Sequence, residues 1–513
     1  MKTRFRTRGV KVAAIAATAL ALVLTSCAPP SDSGSGGGTS DQLTVGMVGS
    51  STDTLNPYQQ EGSNSSGAVF EQVFDRLAAF DPEGKVVMRL AESIEANEDA
   101  TVWTIKLRDG VKLHNGEQFI ADDVVDSLSW MIDPANAWQY ATQVDFIKDA
   151  SQIEKVDDLT VKLNLDEPFG LVPEMLSFER AFMRSVRNGA TVEEPEGTGP
   201  YTVESFTAGQ EAKFKRFDDY WDGPAKTENL TFSFLTDDQA VTNAIRGGQI
   251  DIARGVPFPE VPALESDSNL QIIVSDTAAY PILAMNVQHA PFDNPKVREA
   301  MRLSINRQLI VDNAYGGYAS VANDFIGKNT SCPPPDVPQR EQDVDQAKKL
   351  IAEAGAEGTA VELVTDGAFP GMMEMAQLVT EDLNAIGLKA TVKQLDVGAF
   401  LDRWLEWPFL ISFTSSPYEI TAKAHFMPGG SENSTWFDDA EYNELATELY
   451  RTADPDRKCE IITQLQTIEY ERGTYIVPIY GNDITVAKKG VEGLKPDLYG
   501  RTAFRLTDVT VSS

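Results

Sequence analysis

The feature that most constrains the fold is a strand, a helix and a second strand that follow one another between residues 361 and 392. A short apolar run at 361–364 precedes apolar residues at helical spacing over 372–386, then Gly387 and a second run at 388–392. Strands joined through a helix lie parallel, because a tight hairpin can join only antiparallel strands. The chain is therefore expected to hold a parallel sheet covered by helices, and its fold class is α/β.

The same alternation of strands and helices runs through most of the chain. Residues 102–107 and 159–165 alternate between apolar and polar side chains, which predicts half-buried strands. The run 111–113 lies between two Asx-Gly turns and predicts a strand paired with 102–107. Helices are predicted at 122–132, from Pro295 with Asn294 as its cap, at 347–354, at 442–449 and at 461–468.

The N-terminal segment has the composition of an export signal. Only basic charged residues occur before position 12, an apolar run covers 12–24, and Leu24-Thr25-Ser26-Cys27 leads into a Ser/Gly-rich stretch. The apolar run falls well short of the about 20 residues that span a bilayer, so a transmembrane anchor is disfavoured. The segment resembles a bacterial lipoprotein signal, which implies that residues 1–26 are removed and that Cys27 carries a lipid. A plain secretory signal is the alternative.

The net charge limits the classes of partner that the chain can bind. The chain has a formal net charge of −33, and its acidic residues are spread along the sequence rather than clustered. Such a polyanion repels nucleic-acid phosphates and anionic lipid head groups, so nucleic-acid binding is not expected. The Ser/Gly-rich residues 27–40 predict a flexible tether, with the folded part beginning near Leu43. Membrane attachment is therefore expected through the lipid alone.

Two further cysteines, Cys332 and Cys459, lie within the predicted folded part. In an exported protein they can form a disulfide, but two separate thiols fit the sequence equally well, because geometry decides pairing. Neither belongs to a Cys-x-x-Cys motif, so redox catalysis is not suggested.

Sequence blocks in a characteristic order occur from about Leu43 to Val486. They are Leu-Asn-Pro-Tyr at 55–58, Val-Phe-Asp-Arg-Leu at 73–77, the run 103–116 with Ala-Asp-Asp-Val-Val at 121–125, Gly-Thr-Gly-Pro-Tyr at 197–201, Ala-Ile-Arg-Gly-Gly-Gln-Ile-Asp-Ile at 244–252, and Val-Arg-Glu-Ala at 297–300. In this order they resemble the solute-binding proteins of peptide/nickel-type ABC importers, family 5 of the extracellular solute-binding proteins.

The resemblance implies a two-lobed, type II-like periplasmic-binding-protein fold with an extra subdomain inserted in the first lobe and two crossover hinges. The hinges are expected near 279–285 and 477–485. The first lobe is expected at 41–58, 195–278 and 485–513, the inserted subdomain at 59–194, and the second lobe at 279–484. A ligand that touches both lobes would stabilise the closed form, which would then dock on ABC permease subunits. The protein is expected to be a monomer with no cofactor.

The resemblance also suggests where the ligand binds. Trp138 and Tyr140 occur where the family places an aromatic side chain over the ligand, although ordinary core aromatics are the alternative. In the second lobe the family often carries an aspartate that pairs with a peptide's amino group. The corresponding run, 411–418, lacks it. Glu419, the next residue, is the candidate substitute. The expected second-lobe contacts are Phe413, Thr414, Ser415 and Tyr418.

Catalysis and direct metal binding are not expected. The chain lacks the His-Glu-x-x-His, Gly-x-Ser-x-Gly and Walker lysine motifs, and its paired acids suit solvated faces or helix starts. Of three histidines, His425 is the one that could meet a metal chelate. The predicted function is capture of a small peptide or peptide-like ligand for an ABC importer. A surface sensor lipoprotein is the alternative, and metal-chelate binding ranks third.

Overall fold

The computed structural model describes residues 39–59, 64–81, 84–191, 193–277, 280–328, 330, 332–367, 369–496 and 505–512. The predicted signal peptide, Cys27 and most of the predicted tether lie outside these residues. Among the helices of the described ranges, none combines the length and the apolarity needed to cross a bilayer.

Strands come from all parts of the described chain. They are β1 (Thr39–Ser40), β2 (Gln42–Val48), β3 (Asp75–Arg76), β4 (Ala78–Phe80), β5 (Val86–Met88), β6 (Ala91–Ala96), β7 (Val102–Leu107), β8 (Ile153–Asp157), β9 (Thr160–Asn164), β10 (Phe182–Met183), β11 (Tyr201–Thr207), β12 (Glu211–Arg216), β13 (Asn229–Leu235), β14 (Ile252–Arg254), β15 (Leu270–Asp276), β16 (Tyr280–Met285), β17 (Ala319–Val321), β18 (Ala360–Thr365), β19 (Lys389–Gln394), β20 (Phe409–Thr414), β21 (Tyr475–Ile476), β22 (Ile479–Lys488), β23 (Val491–Glu492) and β24 (Thr510–Ser512).

Helices separate these strands, as the sequence predicted. They are α1 (Asn64–Val73), α2 (Ala121–Ile132), α3 (Val172–Leu176), α4 (Asp238–Arg246), α5 (Val261–Glu265), α6 (Pro295–Ser304), α7 (Arg307–Asn313), α8 (Val344–Glu353), α9 (Met372–Ala385), α10 (Val397–Leu401), α11 (Tyr418–Phe426), α12 (Ala440–Arg451) and α13 (Pro455–Arg472). Asn294 caps α6 as predicted, because its side chain accepts a hydrogen bond from the backbone N–H of Lys296.

Three sheets organise the molecule. Lobe I is built on the order β11-β12-β13-β2-β14-β22-β15, in which β13 and β14 run parallel to β2. Lobe II is built on β19-β18-β20-β16-β21, in which β18 is parallel to both neighbours. The inserted subdomain holds the antiparallel sheet β6-β7-β9-β8 with helices α2 and α3. The predicted unit of strand, helix and strand is confirmed as β18, α9 and β19.

The chain crosses between the lobes twice. It leaves lobe I after β15 and enters lobe II with β16, and it returns from β21 to β22. The hydroxyl of Thr277, on the first crossing, donates a hydrogen bond of 3.0 Å to the carbonyl of Gly481, just after the second. The two connections therefore lie side by side, which limits the motion of the lobes to opening and closing.

One predicted pairing is wrong. Strand β7 pairs with β6 on one side and with β9 on the other, so it has no free edge for residues 111–113. Those residues form a single bridge, between Lys112 and Gln118, while Val111 and Leu113 are buried in the core. The alternation of apolar residues correctly predicted which side chains of this run point into the core. It did not determine which strand pairs with β7.

Helix α1 belongs to the core of lobe I. Its Phe70, with Phe74 just beyond its end, is buried in the same apolar cluster as Tyr201 on β11 and Phe214 on β12. The sequence had placed these two phenylalanines within the range of the inserted subdomain. The other domain boundaries stay predictions.

Cys332 and Cys459 form a disulfide in the structure, with their Cα atoms 4.9 Å apart. Residues 322–328 form the segment beneath the crossovers, because their backbone N–H groups donate to Tyr280, Val477 and Pro478. Cys332 follows this segment, and Cys459 lies on α13. Both cysteines belong to lobe II.

Candidate ligand-binding cleft

A cavity of about 280 Å³ lies where the lobes and the inserted subdomain meet. Its volume is near the lower end of the range of about 300–1,000 Å³ typical of ligand pockets. Residues from all three parts of the molecule form its walls, so a molecule inside it would contact both lobes at once.

The inserted subdomain forms the first wall. Tyr140, Gln143, Phe178 and Arg180 line the cavity from this side. The guanidinium of Arg180 lies 5.9 Å from the centre of the Tyr140 ring, a cation–π arrangement. Burial raises the pKa of Tyr140, and the charge of Arg180 offsets part of that effect, so the phenol is neutral at pH 7.

Lobe I forms the second wall, with residues around Val256 and the start of β22. The carboxylate of Asp483 lies 3.0 Å from the guanidinium of Arg254, and both side chains are almost fully buried. Asn482, next to Asp483, also lines the cavity. Because β22 pairs with β14, β15 and β17, its backbone is held in place.

Lobe II forms the third wall from the end of β20 and from helix α11. Phe413 stacks on Phe369 with ring centroids 4.0 Å apart, and Thr414 and Ser415 follow it along the wall. Register explains this placement, since Thr414 pairs with Tyr280 at the first crossover. The end of β20 therefore lies at the hinge, where the lobes face each other.

A histidine and a carboxylate pair within the lobe II wall. Nε2 of His425 lies 2.7 Å from an oxygen of Glu432, and Nδ1 lies 3.3 Å from the hydroxyl of Tyr475. Burial tends to raise the pKa of Glu432, but the charge and hydrogen bond of His425 outweigh it and lower the pKa below its usual range. Both ring nitrogens are engaged, so His425 offers no free ligand atom to a metal chelate.

Four of the six predicted ligand contacts come together in this cavity, namely Tyr140, Phe413, Thr414 and Ser415. Trp138 and Tyr418 do not line it, and they are 5 % and 1 % exposed. Trp138 packs its ring edge to face with Tyr140 at 5.9 Å, so it supports that side chain from behind. The hydroxyl of Tyr418 points away from the cleft and donates to Glu469 at 2.7 Å.

Sequence reasoning missed several residues of the cavity. Gln143, Arg180, Glu432 and Asn482 line it, whereas Glu419, considered as a substitute for the absent aspartate, does not. Burial and the neighbouring charge of Glu174 raise the pKa of Glu419 to about 7. Isolated polar residues give no periodic signal, so nothing in the sequence singled out these four.

Groups of three or more His, Cys, Asp or Glu side chains that could hold a metal ion do not occur in the part of the chain that the structure describes. The arrangement is therefore one of aromatic faces, hydroxyls, amides and paired charges around the cavity. Such a lining suits reversible binding of a polar organic molecule.

Comparison with known sequences agrees with this geometry. The sequence model of the bacterial extracellular solute-binding proteins, family 5 (middle), matches residues 85–431. The chain belongs to this family. Family 5 comprises the solute-binding proteins of peptide/nickel-type ABC importers, which work outside the cytoplasm.

Individual relatives of this solute-binding protein span nearly its whole length. The glutathione-binding protein GsiB of Escherichia coli is 26% identical over 494 residues, which cover 88% of this chain and 92% of that protein. The ABC transporter substrate-binding protein CtaP of Listeria monocytogenes superposes with a TM-score of 0.81 at 22% identity, covering 92% of this chain and 100% of that one.

A third similar structure is DppA of Helicobacter pylori in complex with the peptide STSA. Its TM-score is 0.78 at 20% identity, with 93% of this chain and 99% of that chain covered. These likenesses establish the two-lobed, type II-like periplasmic-binding-protein fold, with the subdomain inserted in the first lobe and the two crossover hinges.

Proposed function

We propose that this solute-binding protein captures a small peptide or peptide-like molecule in the cleft and delivers it to the permease of an ABC importer. The observation that carries the proposal is the cavity itself, because its walls come from both lobes and from the inserted subdomain. No chemical step is required of the protein, and family membership is that of a binding protein.

Closure supplies the mechanism of capture. Lobe II touches the inserted subdomain across the cleft, where the ammonium group of Lys423 pairs with Asp145 and donates to the carbonyl of Thr142 at 3.0 Å. A ligand that contacts both lobes binds the closed form more tightly than the open form, so binding shifts the population toward closure. The permease would then distinguish the loaded from the empty protein by its closed shape.

The size of the cavity favours a short ligand. A volume of about 280 Å³ accommodates a few amino-acid residues rather than a long chain. The names of two relatives point the same way, since GsiB is a glutathione-binding protein and the DppA structure holds a four-residue peptide. Di- to tetrapeptides, including glutathione, are therefore the first ligands to test.

Attachment to the outer face of the membrane through lipid on Cys27 is part of the proposal. It rests on the signal-like N-terminal sequence and on the Ser/Gly-rich stretch that would tether the folded part. The protein would act as a monomer whose only membrane contact is this lipid and the permease.

Isothermal titration of the purified protein with glutathione, di-alanine, tri-alanine and tetra-alanine tests the proposal. At least one is expected to bind with micromolar or better affinity, and small-angle scattering is expected to show contraction on binding. Absence of binding by any peptide, together with turnover or metal binding by the same preparation, would contradict it. Loss of labelling by a radioactive fatty acid in a Cys27→Ser variant tests the lipid separately.

A further inference from the structure

Two amide side chains in the cavity lack partners. Oε1 of Gln143 and Oδ1 of Asn482 are buried, and neither has a hydrogen-bond partner among the residues that the structure describes. Gln143 is only 6 % exposed. Buried polar atoms are nearly always hydrogen-bonded in folded proteins, because an unpaired one keeps the full cost of its desolvation. Both residues line the cavity, so a bound molecule is the natural source of the partners.

The charged groups of the cavity are in a different situation. Asp483 is paired with Arg254 at 3.0 Å, Glu432 with His425 at 2.7 Å, and Arg180 lies 3.6 Å from Glu179. Charges that already pair within the protein gain little from a charged ligand. Oε1 of Gln143 and Oδ1 of Asn482 are neutral acceptors, which call for hydrogen-bond donors on the ligand.

Both amides are held in place by the fold. Gln143 ends a short turn that Lys423 fixes by donating to the carbonyl of Thr142, and its own N–H donates to Tyr140 at 2.9 Å. Asn482 lies on β22, opposite Asp276, and its N–H donates to the carbonyl of Tyr318 at 3.1 Å. Gln143 belongs to the inserted subdomain and Asn482 to β22 of lobe I, and the contact with Lys423 of lobe II positions Gln143 in the closed form.

We propose that Gln143 and Asn482 select the ligand by accepting hydrogen bonds from its amide N–H groups. The ligand class is a short peptide with free backbone N–H groups, in preference to esters of similar size that lack those donors. This inference rests on the function proposed above. It specifies that the cleft recognises the backbone N–H groups of the ligand.

The probes are tri-alanine and its two depsipeptide forms, in each of which one peptide N–H is replaced by an ester oxygen. The ester removes a donor without adding bulk. The variants are Gln143→Met and Asn482→Leu, which keep side-chain size but remove the acceptor. Gln152→Met is the control for loss of a buried glutamine outside the cavity, where Oε1 of Gln152 accepts hydrogen bonds from the backbone N–H groups of Lys148 and Asp149.

Wild type and Gln152→Met are expected to bind at least one depsipeptide about tenfold more weakly than tri-alanine. Gln143→Met or Asn482→Leu is expected to bind tri-alanine about tenfold more weakly than wild type does. The same variant is expected to bind tri-alanine and the depsipeptide with equal affinity. Circular dichroism and melting curves confirm that each variant is folded. If Gln143→Met or Asn482→Leu does not fold, the variants Gln143→Glu and Asn482→Asp are used instead. Both keep an acceptor, so they are expected to keep the preference for tri-alanine over the depsipeptide.

Equal affinity of wild type for tri-alanine and both depsipeptides would overturn the inference while leaving the proposed function in place. Unchanged discrimination in both variants would overturn it as well. Binding of no peptide of any length by wild type would overturn the proposed function itself.

Discussion

The two sides of the cleft are held by different kinds of contact. On the hinge side the lobes are joined by the chain itself, and the segment beneath the crossovers is bonded to them: the N–H of Gly327 donates to the hydroxyl of Tyr280 at 2.8 Å, and that of Val477 to Asp324 at 3.1 Å. On the opposite side, which we call the latch, the inserted subdomain and lobe II are joined by hydrogen bonds, ion pairs and close packing.

The latch contacts are few and local. Gly170 donates its N–H to the carbonyl of Tyr450 at 2.7 Å, the ring of Phe169 stacks between Phe146 and Tyr450, and Lys458 pairs with Glu174. Opening the cleft breaks these contacts but leaves those of the hinge intact. Hinge contacts should therefore govern stability, whereas latch contacts should govern affinity.

The neighbouring residues Lys458 and Cys459 illustrate the division. Both lie on the first turns of α13. Lys458 reaches across the cleft to the inserted subdomain, while Cys459 is bonded to Cys332 within lobe II. Substitutions on either side therefore test whether stability and affinity can be changed separately.

Replacing both Cys332 and Cys459 by serine is expected to lower stability and to leave binding unchanged. The bridge closes a loop of 127 positions, for which the chain-entropy account gives roughly 4–5 kcal/mol. Urea unfolding monitored by fluorescence measures the loss. Titration with a bound peptide should give an affinity within about twofold of wild type, and a tenfold loss would show that the bridge acts on the cleft.

Stability is expected to fall as pH rises, through Glu469. Burial raises the pKa of this carboxyl to about 8, although hydrogen bonds from Ile326, Tyr418 and Tyr442 oppose the effect. The folded protein therefore binds a proton more tightly than the unfolded chain, and its stability declines between about pH 4.5 and pH 8. Over pH 5 to 8 the loss is about 3 kcal/mol.

The variant Glu469→Gln isolates this dependence, because its side chain is neutral throughout. Its stability should change less between pH 5 and pH 8 than that of wild type, by about 3 kcal/mol. Melting or urea curves at both pH values measure the difference. Parallel curves for the two proteins would contradict the assignment.

Substitution of Gly170 by alanine is expected to weaken binding about 100-fold, which corresponds to about 2.7 kcal/mol. A Cβ on Gly170 would overlap the backbone carbonyl of Thr452 across the cleft, and backbone cannot move aside as a side chain can. The closed form is penalised, while the open form has room for the methyl group.

Titration and scattering of Gly170→Ala measure affinity and closure together. Glu167→Ala is the control, because Glu167 makes only an exposed 3.8 Å pair with Arg451 at the same rim, and its affinity should stay within about twofold. A melting temperature reduced as strongly as the affinity would indicate a general defect instead.

The change Lys458→Met is expected to weaken binding about tenfold. It keeps the apolar stem but leaves the carboxylate of Glu174 buried without its partner, and this cost arises only in the closed form, where the two side chains are 13% and 9% exposed. Adding Glu174→Gln should recover part of the loss. Additive effects of the two changes would show that the pair does not couple the halves.

Much of the fold could be predicted from local patterns. The α/β class, the unit of β18, α9 and β19, the capped helix α6 and the helices α12 and α13 all follow from periodicity and capping residues, which act over one or two turns. The pairing of β7 could not be predicted in this way. Its partner β9 is more than fifty residues away, and the nearer run at 111–113 satisfied the same pattern.

The candidate site was predictable only where a segment as a whole faces the cleft. Residues 413–415 lie at the end of a strand, so predicting the segment also predicted its contacts. Trp138 and Tyr140 share a sequence neighbourhood, yet only Tyr140 reaches the cavity, because Trp138 fills the space behind it. Which of two nearby aromatics turns inward depends on packing that neither residue determines alone.

The sequence by itself determined the family, the alternation of strands and helices, and the acidic surface, since each depends on residue type and short-range spacing. Only the tertiary structure decided that Cys332 meets Cys459, that His425 meets Glu432, and that Gln143 and Asn482 face one cavity without partners. These are contacts between segments brought together by the packing of three sheets. Their geometry depends on the whole core, so no local pattern encodes them.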